Sequence, residues 1–196
     1  MAMLYDGANS QTCQGLRLLT TLQRLLAIQV AETRPALDEA ATLVAEALGA
    51  DKVDIFVYQA DIDCLVALGT STTPMGQRQH ELGLDRLAVS NGGRAGAVFQ
   101  TGEPYASGRM DEDPEELRGV VQGLGVRSVL NYPLNVNGMR RGVVQADSAT
   151  PDFFTEDDAS FLESVAHWVS TVIHRAELVE QATASAIRQG HREAAD

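Results

Sequence analysis

From Leu16 to Val30 apolar residues recur at helical spacing: Leu19, Leu22 and Leu26 fall three and four apart, with Leu18 and Leu25 beside them. The stripe is wide, so this helix is expected to touch more than one surface. A second helical pattern opens at Thr33-Arg34-Pro35, where Thr33 can cap and Pro35 is tolerated in the first turn. Ala36, Leu37, Ala40, Leu43, Val44, Ala47 and Leu48 form its apolar face, and Gly49 stops it. The pattern then changes to strands. Val53–Gln59 and Cys64–Leu68 read as a pair joined at Asp61-Ile62-Asp63, and residues 70–82 read as a loop. Leu84–Val89 suggests a third strand, Arg94–Thr101 a short helix and Pro104–Ala106 another short strand. Asp113-Pro114-Glu115-Glu116 predicts a helix, capped by Asp113, with Pro114 in the first position and Glu116 at capping-box spacing. Its end is expected near Gly123 or Gly125.

The segment Val126–Ser148 reads as two antiparallel strands joined at Asn137-Gly138, a pair that populates the positive φ a tight hairpin needs. A helix entry follows, with Thr155 as cap, Asp158 at the box position, and Glu156, Asp157 and Asp158 complementing the helix dipole. Beyond it Leu162, Val165, Val169, Val172, Ala176 and Val179 repeat at alternating three- and four-residue steps, a heptad seam. Such a seam needs a partner, either the Leu16–Val30 helix of the same chain or a second copy forming a four-helix bundle. Leu19, Leu22, Leu26, Leu162, Val165, Val169, Val172, Ala176 and Val179 are therefore the expected dimer seam.

A chain of 196 residues, 44% hydrophobic, can bury one substantial core. The formal net charge of -12 repels phosphate backbones and anionic bilayers, so neither nucleic acid nor membrane is an expected partner. No apolar run approaches the roughly 18–20 residues of a transmembrane helix. The N-terminus lacks the pattern of a signal peptide. Cys13 and Cys64 are too few for a disulfide framework, and a cytoplasmic location is expected. Lys52 is the only lysine; it stands where a strand begins and is expected in solvent.

Four segments together carry a family resemblance. Gly93–Pro104 resembles the G-x-x-G-x-x-x-x-T-G-E-P helix segment of GAF domains. Ser128 to Leu134, with Tyr132-Pro133-Leu134, is similar to the S-x-L-x-x-P-L strand. Gly138 and Gly142-Val143-Val144 look like the hairpin return, and Phe154–Asp158 with Phe161-Leu162 like the entry to the last helix. The resemblance spans about residues 33–175. It implies an α+β fold: an antiparallel sheet with helices packed on one face, a ligand pocket on the other, and long terminal helices. The small residues of 93–97 suit a helix lying close to a sheet, as a pocket wall would. On this basis residues 1–15 are read as a disordered tail. Residues 16–180 form the domain, including helices 16–30 and 155–180, and 181–196 form a helical linker to an output module.

The elements that wall a GAF pocket carry Tyr58, Arg94, Phe99, Tyr105, Asn131, Tyr132, Gln145 and Asp147, the candidate ligand residues. Strand parity decides which of Asn131 and Tyr132 points inward, and the sequence leaves this open. No cofactor is required by the sequence. Of the Asn-Lys…Phe…Asp-Glu pattern of cyclic-nucleotide-binding members, only Phe154 and Asp158 have counterparts, and these are better read as core anchor and helix cap. The thiol relay of methionine-sulfoxide-reducing members needs several cysteines, and Cys64 stands alone in the domain. Cys64 also lacks the adjacent histidine of bilin-attaching members and reads as a small apolar filler. His80 is expected in an exposed loop. His167 and His174 are seven residues apart, about 10.5 Å along a helix and too far to share a metal. The acidic group Asp111, Glu112, Asp113, Glu115 and Glu116 lacks calcium-loop spacing and is expected to be a solvated helix start. The expected function is a non-catalytic sensory domain of a signalling protein, foremost a sensor histidine kinase of a two-component system. It would bind an unknown small molecule and relay the signal through a dimeric helical bundle. The alternatives are a dimerisation module with a collapsed pocket, or the sensor part of a transcription regulator or cyclic-dinucleotide enzyme.

Overall fold

The computed structural model describes residues 3–28 and 32–193. Six strands form one curled antiparallel sheet in the order β3-β2-β1-β6-β5-β4. They are β1 (Lys52–Gln59), β2 (Cys64–Thr70), β3 (Arg86–Ala88), β4 (Tyr105–Ser107), β5 (Ser128–Val136) and β6 (Met139–Ser148). The helices are α1 (Met3–Ala27), α2 (Thr33–Leu48), α3 (Pro74–Glu81), α4 (Gly93–Thr101) and α5 (Glu156–Glu193). The expected α+β architecture is present: α2 and α5 cover one sheet face with α1 packed against them, while α3, α4 and the segment Met110–Leu124 cover the other.

The β5–β6 hairpin turns at Asn137 and Gly138, both at positive φ, as the Asn-Gly pair predicts. The entry to α5 is a reciprocal cap. Thr155 Oγ1 accepts the Asp158 N–H at 3.3 Å, and Asp158 Oδ2 accepts the Thr155 N–H at 2.9 Å. Three segments differ from expectation. Within 70–82 the structure has α3: Thr73 accepts the Gly76 N–H and Pro74 occupies the first turn, a cap-and-proline signal hidden by the polar composition. The helix expected from Asp113 is replaced by a turn and a π-helical stretch, Gly119–Leu124. Asp113 accepts the Glu115 N–H at 3.0 Å but is also held by Arg94, and Glu116 turns to the Leu117 and Arg94 N–H groups instead of back to Asp113. Helix α1 includes residues 3–15, within the segment expected as a disordered tail.

The main core lies between the sheet and α1, α2 and α5. It buries Leu37, Val44, Ile55, Leu134, Val144, Leu162, Val165 and Val169, among others. Burying side chains of this kind stabilises by roughly 1.5–3 kcal/mol each. The heptad seam is thereby divided. Leu162, Val165, Val169 and Val172 face this core, since the first turns of α5 lie across β5 and β6. They are covered within the chain. Helix α1 buries Leu18, Thr21 and Leu25, leaving Leu19 at 55% and Leu26 at 74% exposure, with Leu22 half-buried. Ala176 is half-buried and Val179 is exposed. Among the described residues no helix is long and apolar enough to cross a membrane.

Candidate functional site

Side-chain alternation sets the chemistry of the distal sheet face, the one away from α1, α2 and α5. In β1, Val53 and Ile55 join the main core while Lys52, Asp54, Phe56 and Tyr58 point the other way. In β5, Leu130 and Tyr132 pack toward α5 while Val129 joins the distal cluster of Met110, Val120, Leu124 and Val126. Asn131, two residues from Val129, therefore faces the distal side, and strand parity is settled. Tyr132 lies on the opposite face, in a cleft with Glu163 and His167, and is not part of this site.

Residues opposite one another across strands share a face. The pairing places Tyr105 opposite Asn131, Asn131 opposite Gln145, Gln145 opposite Asp54, and Asp54 opposite Thr70. This polar row crosses five strands. The next row along pairs Lys52 with Asp147.

Lys52, expected in solvent, is 1% exposed. It begins a central strand with elements packed on both faces, so its side chain has no route to water. Its ammonium donates to Asp54 and to Gln79 Oε1, and lies 2.8 Å from Asp147 Oδ2. Burial alone would push this lysine down. The Asp147 and Asp54 carboxylates outweigh that and hold it above the usual lysine range. Asp54 Oδ1 also accepts Thr70 Oγ1 and Gln79 Nε2, both at 2.9 Å. One cation thus faces two carboxylates. Burial pushes the Asp147 carboxyl up against the pull of Lys52 and of Gln145 Nε2, which donates to its two oxygens at 2.8 and 3.0 Å.

Above this floor the segment Met110–Leu124 is fastened to α4 by two carboxylates. Arg94 grips Asp113 through Nε at 2.5 Å and Nη2 at 2.7 Å, and its guanidinium lies 4.7 Å from the centre of the Tyr105 ring. Tyr105 donates to the same carboxylate at 2.6 Å. The Arg94 hydrogen bonds hold Asp113 well below the usual carboxylate range. Glu116 accepts the Leu117 N–H at 2.7 Å and the Arg94 N–H at 3.4 Å. Its Oε1 stands 2.1 Å from where a Cβ on Gly93 would be, and Gly93 has φ +58, so only glycine fits there. Burial pushes Glu116 up to about 7, with Asp147 and Asp113 adding to the rise. Asp113 and Glu116 were expected in a solvated helix start; instead they are the internal fastenings of this segment.

A narrow cavity remains between floor and cover, lined by Lys52, Gln79, Gln145, Glu116 and the apolar Phe56 and Leu117, among others. It measures about 10 Å³, room for one water. Beside it, Asn131 is fully buried, and neither its carboxamide oxygen nor its nitrogen has a hydrogen-bond partner. Such a group costs roughly 1–3 kcal/mol.

Of the eight candidates, Gln145 lines this cavity, and Asn131 and Asp147 stand on its floor face. Arg94 and Tyr105 form the fastening at its rim. Tyr58 and Phe99 stack on each other at 4.6 Å in the neighbouring apolar cluster. Lys52, Asp54, Gln79 and Glu116 were missed. Alternation alone puts Lys52 and Asp54 on the face of Phe56, but their burial follows only once β1 is central. His80 is in α3, with Nδ1 2.6 Å from Asp85, and is not turned to the cavity. Cys64 is free, and its Sγ donates to the Ile62 carbonyl at 3.3 Å. No group of three or more His, Cys, Asp or Glu among the described residues is placed to hold a metal ion.

Solved structures share this fold. The GAF domain of a phosphoenolpyruvate-protein phosphotransferase from Coxiella burnetii aligns at 20% identity with a TM-score of 0.72, covering 86% of this chain and 96% of that one. The corresponding domain from Acinetobacter gives 20% identity and a TM-score of 0.69, over 86% of this chain and 98% of that one. Free methionine-R-sulfoxide reductase from Neisseria meningitidis, in complex with its substrate, gives 22% identity and a TM-score of 0.68, over 83% and 89%. At these identities the likeness is one of fold. No curated protein matches the chain significantly. The sequence profile of the GAF domain, however, matches residues 32–173, from the start of α2 into α5. The chain belongs to the GAF domain family.

Proposed function

We propose that this chain is a non-catalytic sensory module of a signal-transduction protein, binding a small molecule against the distal sheet face. The observation that carries the ligand is Asn131, fully buried with both ends of its carboxamide unpartnered. A leucine there would fit an apolar core at no such cost, so the polar group has a use that the closed form leaves unmet. Binding requires the Met110–Leu124 segment to lift, because the closed cavity holds only about 10 Å³. The ligand then favours the form with this segment rearranged, and the shift passes through the sheet to α5.

The module works as a cytoplasmic homodimer, with no nucleic acid or membrane as partner. The seam is redrawn from the exposed apolar residues Leu16, Leu19 and Leu26 of α1 and Leu178, Val179 and Ile187 of α5. Ile28, Ala176 and Val179 line an open groove between the end of α1 and α5, which a second copy would fill. The output module is read as a histidine kinase, with a transcription regulator or cyclic-dinucleotide enzyme as other settings for the same helices. A second reading, a dimerisation module with a closed pocket, is favoured by the small cavity.

Native mass spectrometry of freshly purified protein, before and after incubation with a metabolite extract, separates the two. The sensory reading expects one small mass per chain. A bare polypeptide mass under both conditions contradicts it and supports the dimerisation module.

A further inference from the structure

The charge around the cavity limits what can enter it. On the floor, Lys52 already donates to Asp54, Asp147 and Gln79, which uses all three of its N–H groups. At the rim, Arg94 is taken up by Asp113 in two hydrogen bonds and by Glu115 at 2.6 Å. Neither cation is free to meet an anionic ligand. The carboxylates, in contrast, are in excess. Asp54 and Asp147 face one lysine, with Gln145 Nε2 donating to Asp147, and among the described residues the Glu116 carboxylate in the cavity wall has the Leu117 and Arg94 N–H groups as partners. The remaining polar groups there, Gln79 from α3 and Gln145 from β6, are uncharged. In a space with room for little water, burial pushes the Asp147 and Glu116 carboxyls up so that protons stand in for the missing counter-charge. An entering cation can take the place of such a proton, while an anion finds no free cation to meet it. Opposite Gln145, Asn131 offers a carbonyl oxygen as acceptor and an NH₂ group with two N–H donors, none of them partnered among the described residues.

We propose that the distal site takes a small organic cation with N–H donors, of the primary ammonium class, with Glu116 as its counter-charge and Asn131 as its hydrogen-bonding partner. This rests on the sensory reading above and names the ligand class of that same site. Carboxylates, phosphates and nucleotides are excluded by the same charges. The cation is recognised by the ionised form of Glu116. Protonation of Glu116 competes with it, and Lys52, Asp54, Asp147, Arg94 and Asp113 set the surrounding field.

The test is an NMR titration of the ¹⁵N-labelled full chain, read at the side-chain NH₂ signals of Asn131, Gln145 and Gln79. Methylammonium chloride, sodium acetate and acetamide are compared at constant ionic strength. Saturable shifts with methylammonium, and none with acetate, are expected. Affinity should fall about tenfold from pH 8 to pH 6, since Glu116 titrates near 7. Glu116→Gln should abolish that pH dependence and the preference for methylammonium over acetamide. Binding of acetate as tight as methylammonium, or unchanged binding in Glu116→Gln, overturns the assignment. Binding of acetamide alone overturns the charge class but leaves the pocket standing. No saturable shift with any of the three overturns the assignment and the pocket together.

Discussion

The ammonium of Lys52 lies 2.8 Å from Asp147, directly opposite it across β1 and β6 in the middle of the sheet. An ion pair at this depth resists the loss of one partner far more than it stabilises the fold by being there. Lys52→Met leaves Asp54 and Asp147 buried without a counter-charge and is expected to cost roughly 3–5 kcal/mol. Urea unfolding at pH 7 measures this; a loss under about 1 kcal/mol would show that water reaches the cluster.

Glu116 sets a pH dependence of opposite sign to that of an ordinary salt-bridged acid. Its carboxyl is raised from 4.5 to about 7 in the folded chain, so the native state holds its proton more tightly than the unfolded state. Its contribution to stability is present below pH 4.5 and is lost as pH rises to about 7. The loss is at most about 3 kcal/mol, from 1.36 kcal/mol per unit. Glu116→Gln should therefore gain on the wild type between pH 5 and pH 8, as read by thermal unfolding across that window. A constant difference at all pH values would contradict the buried placement of Glu116.

The Arg94–Asp113 grip fastens the cover to α4. Arg94→Ala is expected to cost about 2 kcal/mol, and Arg94→Lys to recover little, because an ammonium cannot make both hydrogen bonds in parallel. Hydrogen exchange gives the sharper readout. Amides of Gly119–Leu124 should lose protection in both variants while those of β1 and β6 keep theirs. Uniform loss across the sheet would mean a general fold defect instead.

The redrawn dimer surface predicts that Leu19→Glu combined with Val179→Glu yields a monomer with unchanged unfolding midpoint at low concentration. Both side chains are exposed, at 55% and 65%, so little core packing is lost. Analytical ultracentrifugation decides it. A wild-type chain that is monomeric at micromolar concentration, or a variant that still dimerises, contradicts this surface.

Much of the fold is legible in the sequence because its signals are local. Asn137-Gly138 dictates the hairpin, Thr155 and Asp158 cap α5, and the 93–104 segment forms its short helix against the sheet. On α5 the heptad pattern marks which side of the helix is apolar without naming what covers it. Here β5 and β6 cover Leu162 to Val172. Asp113-Pro114-Glu115-Glu116 has a helix-start composition, yet Arg94, nineteen residues earlier, claims the Asp113 carboxylate. Such long-range contacts leave no trace in local spacing. The same holds for Lys52, whose burial depends on strands that lie nearly a hundred residues away.

A binding role for the distal face is tested most directly by the unfolding free energy of Asn131→Leu. If Asn131 serves a ligand, the closed domain carries its unpartnered carboxamide as a defect. The variant should then be more stable by about 1–2 kcal/mol and should lose any small molecule carried by the wild type. A variant less stable than the wild type would show that Asn131 serves the fold, and would contradict a ligand site on this face.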